Sequence, residues 1–217
     1  ACRYQPASRS SLMANPAEIV SQWIDAQPEG ALIRSLDLEH LLNRNQASRE
    51  LACMARRGRL MRVARGMYVA VTASRFGPVP PPADKMVQSL ACITGRTVVR
   101  HGAAAANVLG LTTQVPVRQI YLTDGRARTL NLGKQVIEIR RAPKWLLVLG
   151  RCLAGEVVRA LEWLGPDLAD QAIAKLVGRI GRDDWSALLE TRNQLPSWMA
   201  MAIQKGVPET ALVPSRR

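Results

Sequence analysis

Aromatic side chains are scarce: Phe, Tyr and Trp make up 4% of 217 residues, with a single Phe. Helix packing must therefore rest on Leu, Val, Ala, Ile and Met, and a sheet that stacks single-stranded bases on a row of aromatics is not expected. Cysteine is sparse and scattered at Cys2, Cys53, Cys92 and Cys152, with only His40 and His101 to add imidazole. No C-x-x-C pair occurs, so neither a zinc ribbon nor a redox dithiol is indicated; free thiols are expected, and no metal or cofactor. No run approaches the ~18 uninterrupted apolar residues of a membrane span, and Ala1 to Leu12 lack the apolar stretch of a secretory leader. A cytoplasmic protein with no membrane partner is the expectation. Met13-Ala14-Asn15 offers a natural start, so residues 1–14 read as a leader, tag remnant or disordered arm, and 211–217 as a tail.

Acids are few as well, 17 Asp+Glu against 30 Lys+Arg, for a formal net charge of +13. Such a surplus suits a polyanion: DNA, RNA or an acidic membrane face. The plain alternative is an alkaline surface with no such partner. What remains is ordinary globular material, 47% hydrophobic and 22% charged, enough for one large domain or two small ones.

Asn15-Pro16-Ala17-Glu18 supplies an N-cap, a proline for the first helical position and an acid in the first turn. Ile19, Val20, Trp23 and Ile24 follow at helical spacing, and Pro28-Glu29-Gly30 ends the helix. Ala31-Leu32-Ile33 reads as a short strand. Ser35 or Asp37 would cap a second helix carrying Leu38, Leu41 and Leu42. After the polar turn Asn43-Arg44-Asn45, a third helix is predicted from about Gln46 to Arg57, with Ala47, Leu51, Met54 and Ala55 on one face and Gly58 as its stop. Arg59–Val63 and Met67–Val71 would form a hairpin around Ala64-Arg65-Gly66. Helix, strand, helix, turn, helix, hairpin is the order of a winged helix-turn-helix, expected over 15–75.

Four prolines in Phe76–Pro82 prevent a helix and suggest an extended connector at 76–83. From 84 to 210 an α+β domain is expected. It opens with a helix at Asp84–Cys92, a strand at Thr97–Arg100 and a small-residue helix at Gly102–Leu109. Strands at Ile120–Thr123, Thr129–Leu132 and Val136–Arg140 follow. Beyond Arg151 the pattern is helical: Leu153, Val157, Val158, Leu161 and Leu164 make one stripe, and Leu168, Ala172, Leu176 and Ile180 another. A helix capped by Asp183 and a last one at Trp198–Ile203 complete it.

A helix in the major groove reads base edges from residues near its N-terminal end. Asn45, Gln46, Ser48 and Arg49 are the base-reading candidates, Arg49 for guanine and Gln46 for adenine. Arg44, Arg56, Arg57 and Arg59 suit phosphates, and Arg62 and Arg65 place the hairpin near the backbone or minor groove. Residues 44–65 hold seven arginines and one acid, Glu50. The alternative is a winged helix that packs on protein. A second basic group, Arg118, Arg126, Arg128, Lys134, Arg140, Arg141, Lys144 and Arg151, reads either as a solvated sheet face or as a further polyanion contact.

Two enzymatic patterns compete with these. His101 has no Ser or Cys beside it in a nucleophile signature, and reads as the cap of its helix. Asp124 with Glu138-Ile139-Arg140 is similar to a metal-dependent nuclease pattern, but the usual Lys is an Arg, which does not readily give up its proton, and Asp124-Gly125 is an ordinary turn.

Met54-Ala-Arg-Arg-Gly-Arg-Leu-Met-Arg-Val-Ala-Arg-Gly-Met-Tyr68 resembles the AbiEi-like antitoxins of abortive-infection, type IV toxin–antitoxin systems. So do Gly102-Ala-Ala-Ala-Ala-Asn-Val-Leu-Gly-Leu-Thr-Thr-Gln-Val-Pro116 and Tyr121-Leu-Thr-Asp-Gly-Arg126. The likeness runs from about Ala14 to Trp163; the first motif is common among winged helices and the second more specific. The resemblance implies an N-terminal winged helix that represses its own operon by binding double-stranded DNA at inverted repeats. It also implies a C-terminal domain that counters a nucleotidyltransferase-like toxin, with which no stable complex need form. A stand-alone repressor without a toxin is the alternative function, and the nuclease the alternative of another class.

Overall fold

The structure, a computed structural model, describes residues 15–75 and 77–208. The expected leader at 1–14 and tail at 211–217 lie outside the described residues. The chain is α+β and divides into two compact units that part after Met86.

In the first unit, α1 (Pro16–Asp25) starts where the Asn15 side chain accepts from the Ala17 N–H at 3.1 Å. It buries Val20 and Ile24. After β1 (Leu32–Arg34) the expected second helix does not form; a single 3-10 turn, Ser35–Leu38, stands in its place. Two local contacts explain the difference. The Asp37 carboxylate accepts from the Arg34 backbone N–H (2.8 Å) and guanidinium (2.6 Å), which closes one tight turn. Asn43, in extended backbone, then caps the next helix through the Gln46 N–H at 2.9 Å, so the chain cannot stay helical through it. Leu38 is buried, whereas Leu41 is exposed.

That next helix, α2 (Arg44–Arg56), begins two residues before the expected start and buries Ala47, Leu51 and Met54. Gly58, at φ +76°, allows the Arg59 N–H to turn back onto the Met54 carbonyl at 3.1 Å, which ends the helix. Strands β2 (Leu60–Ala64) and β3 (Met67–Ala70) pair antiparallel around Arg65-Gly66, with Gly66 at φ +70°, and the register shifts between Arg62 and Ala64. β1 adds on the far side of β3, giving the order β1-β3-β2. The core joins Val20, Ile24, Ile33, Leu38, Leu51, Met54, Leu60 and Tyr68. Part of the Pro-rich stretch is a paired strand: β5 (Gly77–Val79) lies antiparallel to β4 (Thr72–Ser74). Both strands of a two-stranded ribbon are edges, where a proline without an N–H is tolerated.

The partition falls inside α3 (Ala83–Thr94). The second unit carries β6 (Val98–Arg100), α4 (Gly102–Val108), β7 (Gln119–Thr123), β8 (Arg128–Leu132) and β9 (Gln135–Arg141). Its sheet has the order β6-β7-β9-β8, with β7 and β9 parallel and the other pairs antiparallel. Four helices follow: α5 (Leu153–Leu164), α6 (Pro166–Leu176), α7 (Arg182–Thr191) and α8 (Ser197–Gly206). α4 lies against α5 so closely that a Cβ on Gly102 would stand 2.3 Å from the Arg159 carbonyl oxygen. Arg159 itself is 0% exposed in this core. It donates to the carbonyls of Gly150 (2.9 Å) and Leu146 (3.3 Å) and pairs with Glu156 at 3.5 Å, fastening the segment ahead of α5. Among the described residues no helix is long and apolar enough to cross a membrane. Cys53, Cys92 and Cys152 are free thiols.

Candidate nucleic-acid interface

Because α2 turns ~100° per residue, burying Ala47, Leu51 and Met54 sends Asn45, Arg49 and Arg56 to the opposite side. All four base-reading candidates, Asn45, Gln46, Ser48 and Arg49, are exposed. No acid occupies the first turn of α2, so its N-terminal end keeps the partial positive charge of the helix dipole. Arg44, Arg49, Arg56, Arg57 and Arg65 are exposed too, and engage no acid or hydrogen-bond acceptor among the described residues. Arg65 stands in the β2–β3 turn, and Arg62 donates only a long bond, 3.4 Å, to the Ala64 carbonyl. A groove of about 580 Å³ separates the end of α2 from the hairpin, with Arg56 and Arg62 on its walls and Tyr68 in its lining.

Arg59, expected among the phosphate contacts, has an acidic partner. Its guanidinium donates to Asp25 (2.7 Å) and Ser21 (2.5 Å) on α1, so it ties the hairpin's base to the first helix. The pair is solvent-exposed on both sides, the kind of ion pair that contributes little to stability.

The second basic group is not one patch. Arg126, Arg128 and Arg141 stand at one end of the sheet, where β7 ends, β8 begins and β9 ends. Arg118 precedes β7 and Lys134 lies in the β8–β9 turn, at the other end of β9, roughly 20 Å away at ~3.3 Å per residue. Arg140 points to Glu138, bonding at 2.5 and 3.1 Å, and Arg118 approaches the same carboxylate at 4.0 Å. The hydrogen bond from Arg140 holds the Glu138 carboxyl below its ordinary range, with the charges of Arg140 and Arg118 adding to it. Lys144 and Arg151 are exposed on the segment between the sheet and α5. The first end of the sheet also holds Arg96, which sequence reasoning missed. It follows α3 and pairs with Asp124 at 3.6 Å; a lone arginine outside the basic runs gives no local signal.

The carboxylates of the nuclease pattern are kept apart. Glu138 lies opposite Ile120 in the parallel ladder, and Asp124 is four residues farther on, about 13 Å at ~3.3 Å per residue. Oxygen ligands must lie within ~2–2.6 Å of one divalent ion, so these two cannot share it. Among the described residues no three acidic, His or Cys side chains gather as a metal site. His101 caps α4, its Nδ1 accepting from the Ala103 N–H at 3.2 Å. Burial lowers its pKa from the ordinary 6.5, opposed by Glu162 and aided by Arg140.

The chain is thus an α+β protein whose helix-and-hairpin unit exposes unpaired arginines and amides. Residues 19–185 match a family of unknown function, DUF6088, and the chain belongs to that family. Comparison with curated proteins gives no match. Among solved structures it is similar to the RV2827C protein from Mycobacterium tuberculosis, at 15% identity and a TM-score of 0.47, covering 89% of this chain and 77% of that one.

Proposed function

We propose that the protein is a double-stranded-DNA-binding transcriptional autorepressor, with residues 15–75 acting as a winged helix. α2 would lie in the major groove and the β2–β3 hairpin beside it. The reading rests on one observation: the side of α2 away from the core carries Asn45, Arg49 and Arg56, exposed, without acidic partners. Guanidinium groups clustered on one helix and hairpin sum to a positive potential that draws in a polyanion. Arg49 and the amides of Asn45 and Gln46 have the donor and acceptor sets that read guanine and adenine edges. Arg44, Arg57 and Arg65 fit the flanking phosphates.

Together with the motif resemblance at 54–68, 102–116 and 121–126, the same reading makes the protein the antitoxin of a type IV pair. It would work in the cytoplasm, repressing its own operon through inverted repeats and countering a nucleotidyltransferase-like toxin. Footprinting the purified protein on its own promoter tests the first part: a protected inverted repeat is expected, and uniform or absent protection overturns it. Co-expression with the neighbouring gene's product tests the second. Rescue from growth arrest is expected; a neighbour without toxicity leaves a stand-alone repressor.

A further inference from the structure

We propose that the second unit carries a phosphate-binding cleft, distinct from the α2 surface, which holds adjacent phosphate groups of one ligand. The cleft, about 540 Å³, is lined by Arg96, Arg126, Arg128 and Arg141 together with Thr94 and Asp124. Three segments distant in sequence deliver these arginines: the turn after α3, the β7–β8 connection running into the first residue of β8, and the last residue of β9. The sole acid in the lining is committed to the fold. Asp124 Oδ1 accepts from the Thr97 N–H at 3.1 Å, and Oδ2 pairs with Arg96. Arg126, Arg128 and Arg141 engage no acid among the described residues.

Gathering like charges around a concavity raises their mutual repulsion, which an anion relieves, and a cleft focuses their field more strongly than a flat face does. Guanidinium forks match phosphate oxygens two at a time. The volume is that of a small-ligand site, which a single surface counter-ion would not need. No aromatic lines the cleft, so a base would have nothing to stack on, and recognition falls on phosphates alone. Three uncompensated arginines exceed the charge of a single phosphate. A run of adjacent phosphates is therefore the fitting ligand, whether from a nucleoside polyphosphate or a nucleic-acid chain.

Calorimetric titration of the full-length protein with inorganic triphosphate at low salt tests this. Binding at one site is expected, weakened roughly tenfold or more in Arg126→Ala/Arg141→Ala through the lost charge-assisted bonds. Arg140→Ala, on the same strand but facing Glu138, should bind like wild type. So should Arg49→Ala, which separates this proposal from the reading of α2. Equal binding by the double variant overturns the proposal, as does equal weakening in Arg140→Ala, which would mean diffuse charge. If the double variant melts early, Arg126→Gln at its exposed position carries the same comparison. Displacement of triphosphate by ATP assigns a nucleoside polyphosphate, and displacement by a short oligothymidylate assigns a chain; displacement by neither overturns the ligand class.

Discussion

The two units put the same side chain to different uses. In the first, Arg44, Arg49, Arg56, Arg57 and Arg65 stand out from a helix and a hairpin, beside amides, with no acid paired to them among the described residues. In the second, one arginine is sealed in the core and others line a hollow without amides. Arginines gathered in a hollow answer only to negative charge, whereas an arginine held against a base edge can pair with guanine, and Asn or Gln beside it adds adenine. The contrast teaches that net charge names a partner class, whereas neighbours decide what is recognised.

The sharpest way to break this contrast is to remove the sealed guanidinium. Arg159→Ala would strip two carbonyls of their donor and remove the guanidinium that stands 3.5 Å from the Glu156 carboxylate in the core. A loss of about 3–5 kcal/mol in denaturant melts is expected. A loss below ~1 kcal/mol would mean the core tolerates the gap, and the structural role assigned to Arg159 fails.

On the exposed side, two arginines of one surface should respond differently. Arg49→Ala is expected to cost about 1–3 kcal/mol on the operator and little on random DNA. Arg57→Ala should weaken both alike and reduce the salt slope by about one. Binding measured on both duplexes across salt would show it. Identical behaviour of the two variants removes the division between reading and gripping.

The smallest effect concerns acidity. His101 accepts a hydrogen bond on Nδ1, so the folded protein needs it neutral, and burial holds its pKa below the unfolded 6.5. As pH falls through 6.5 the unfolded chain takes up the proton first, so stability declines toward the lower folded value and is fully present above 6.5. Thermal melts should show this slope in the wild type and a flatter one in His101→Ser, which caps without titrating. Equal slopes would assign the acid sensitivity elsewhere.

Much of this was readable from local pattern. α2 was legible because its apolar period, its cap and Gly58 agree, and Gly102–Leu109 because His101 and a run of alanines do. The second helix was not. Leu38, Leu41 and Leu42 have helical spacing, but a carboxylate three residues from Arg34 closes a turn, and Asn43 claims the chain for the next helix. The pairing of Arg59 was not legible because its partner, Asp25, lies 34 residues away in sequence. Arg96 escaped notice since only the pairing of β6 with β7 brings it beside Asp124. Local rules see caps and periods; long-range pairing decides which charges stay free.

Strand order has a consequence for synthesis. β9 slots between β7 and β8, although it is made after both. While translation stands short of Arg141, β7 has an open flank that its later neighbour must close, and an unpaired strand edge invites the wrong partner. The β8–β9 hairpin can close locally and then dock as a ready-made ribbon, so the third wall of the arginine hollow arrives last, with the final residue of that ribbon.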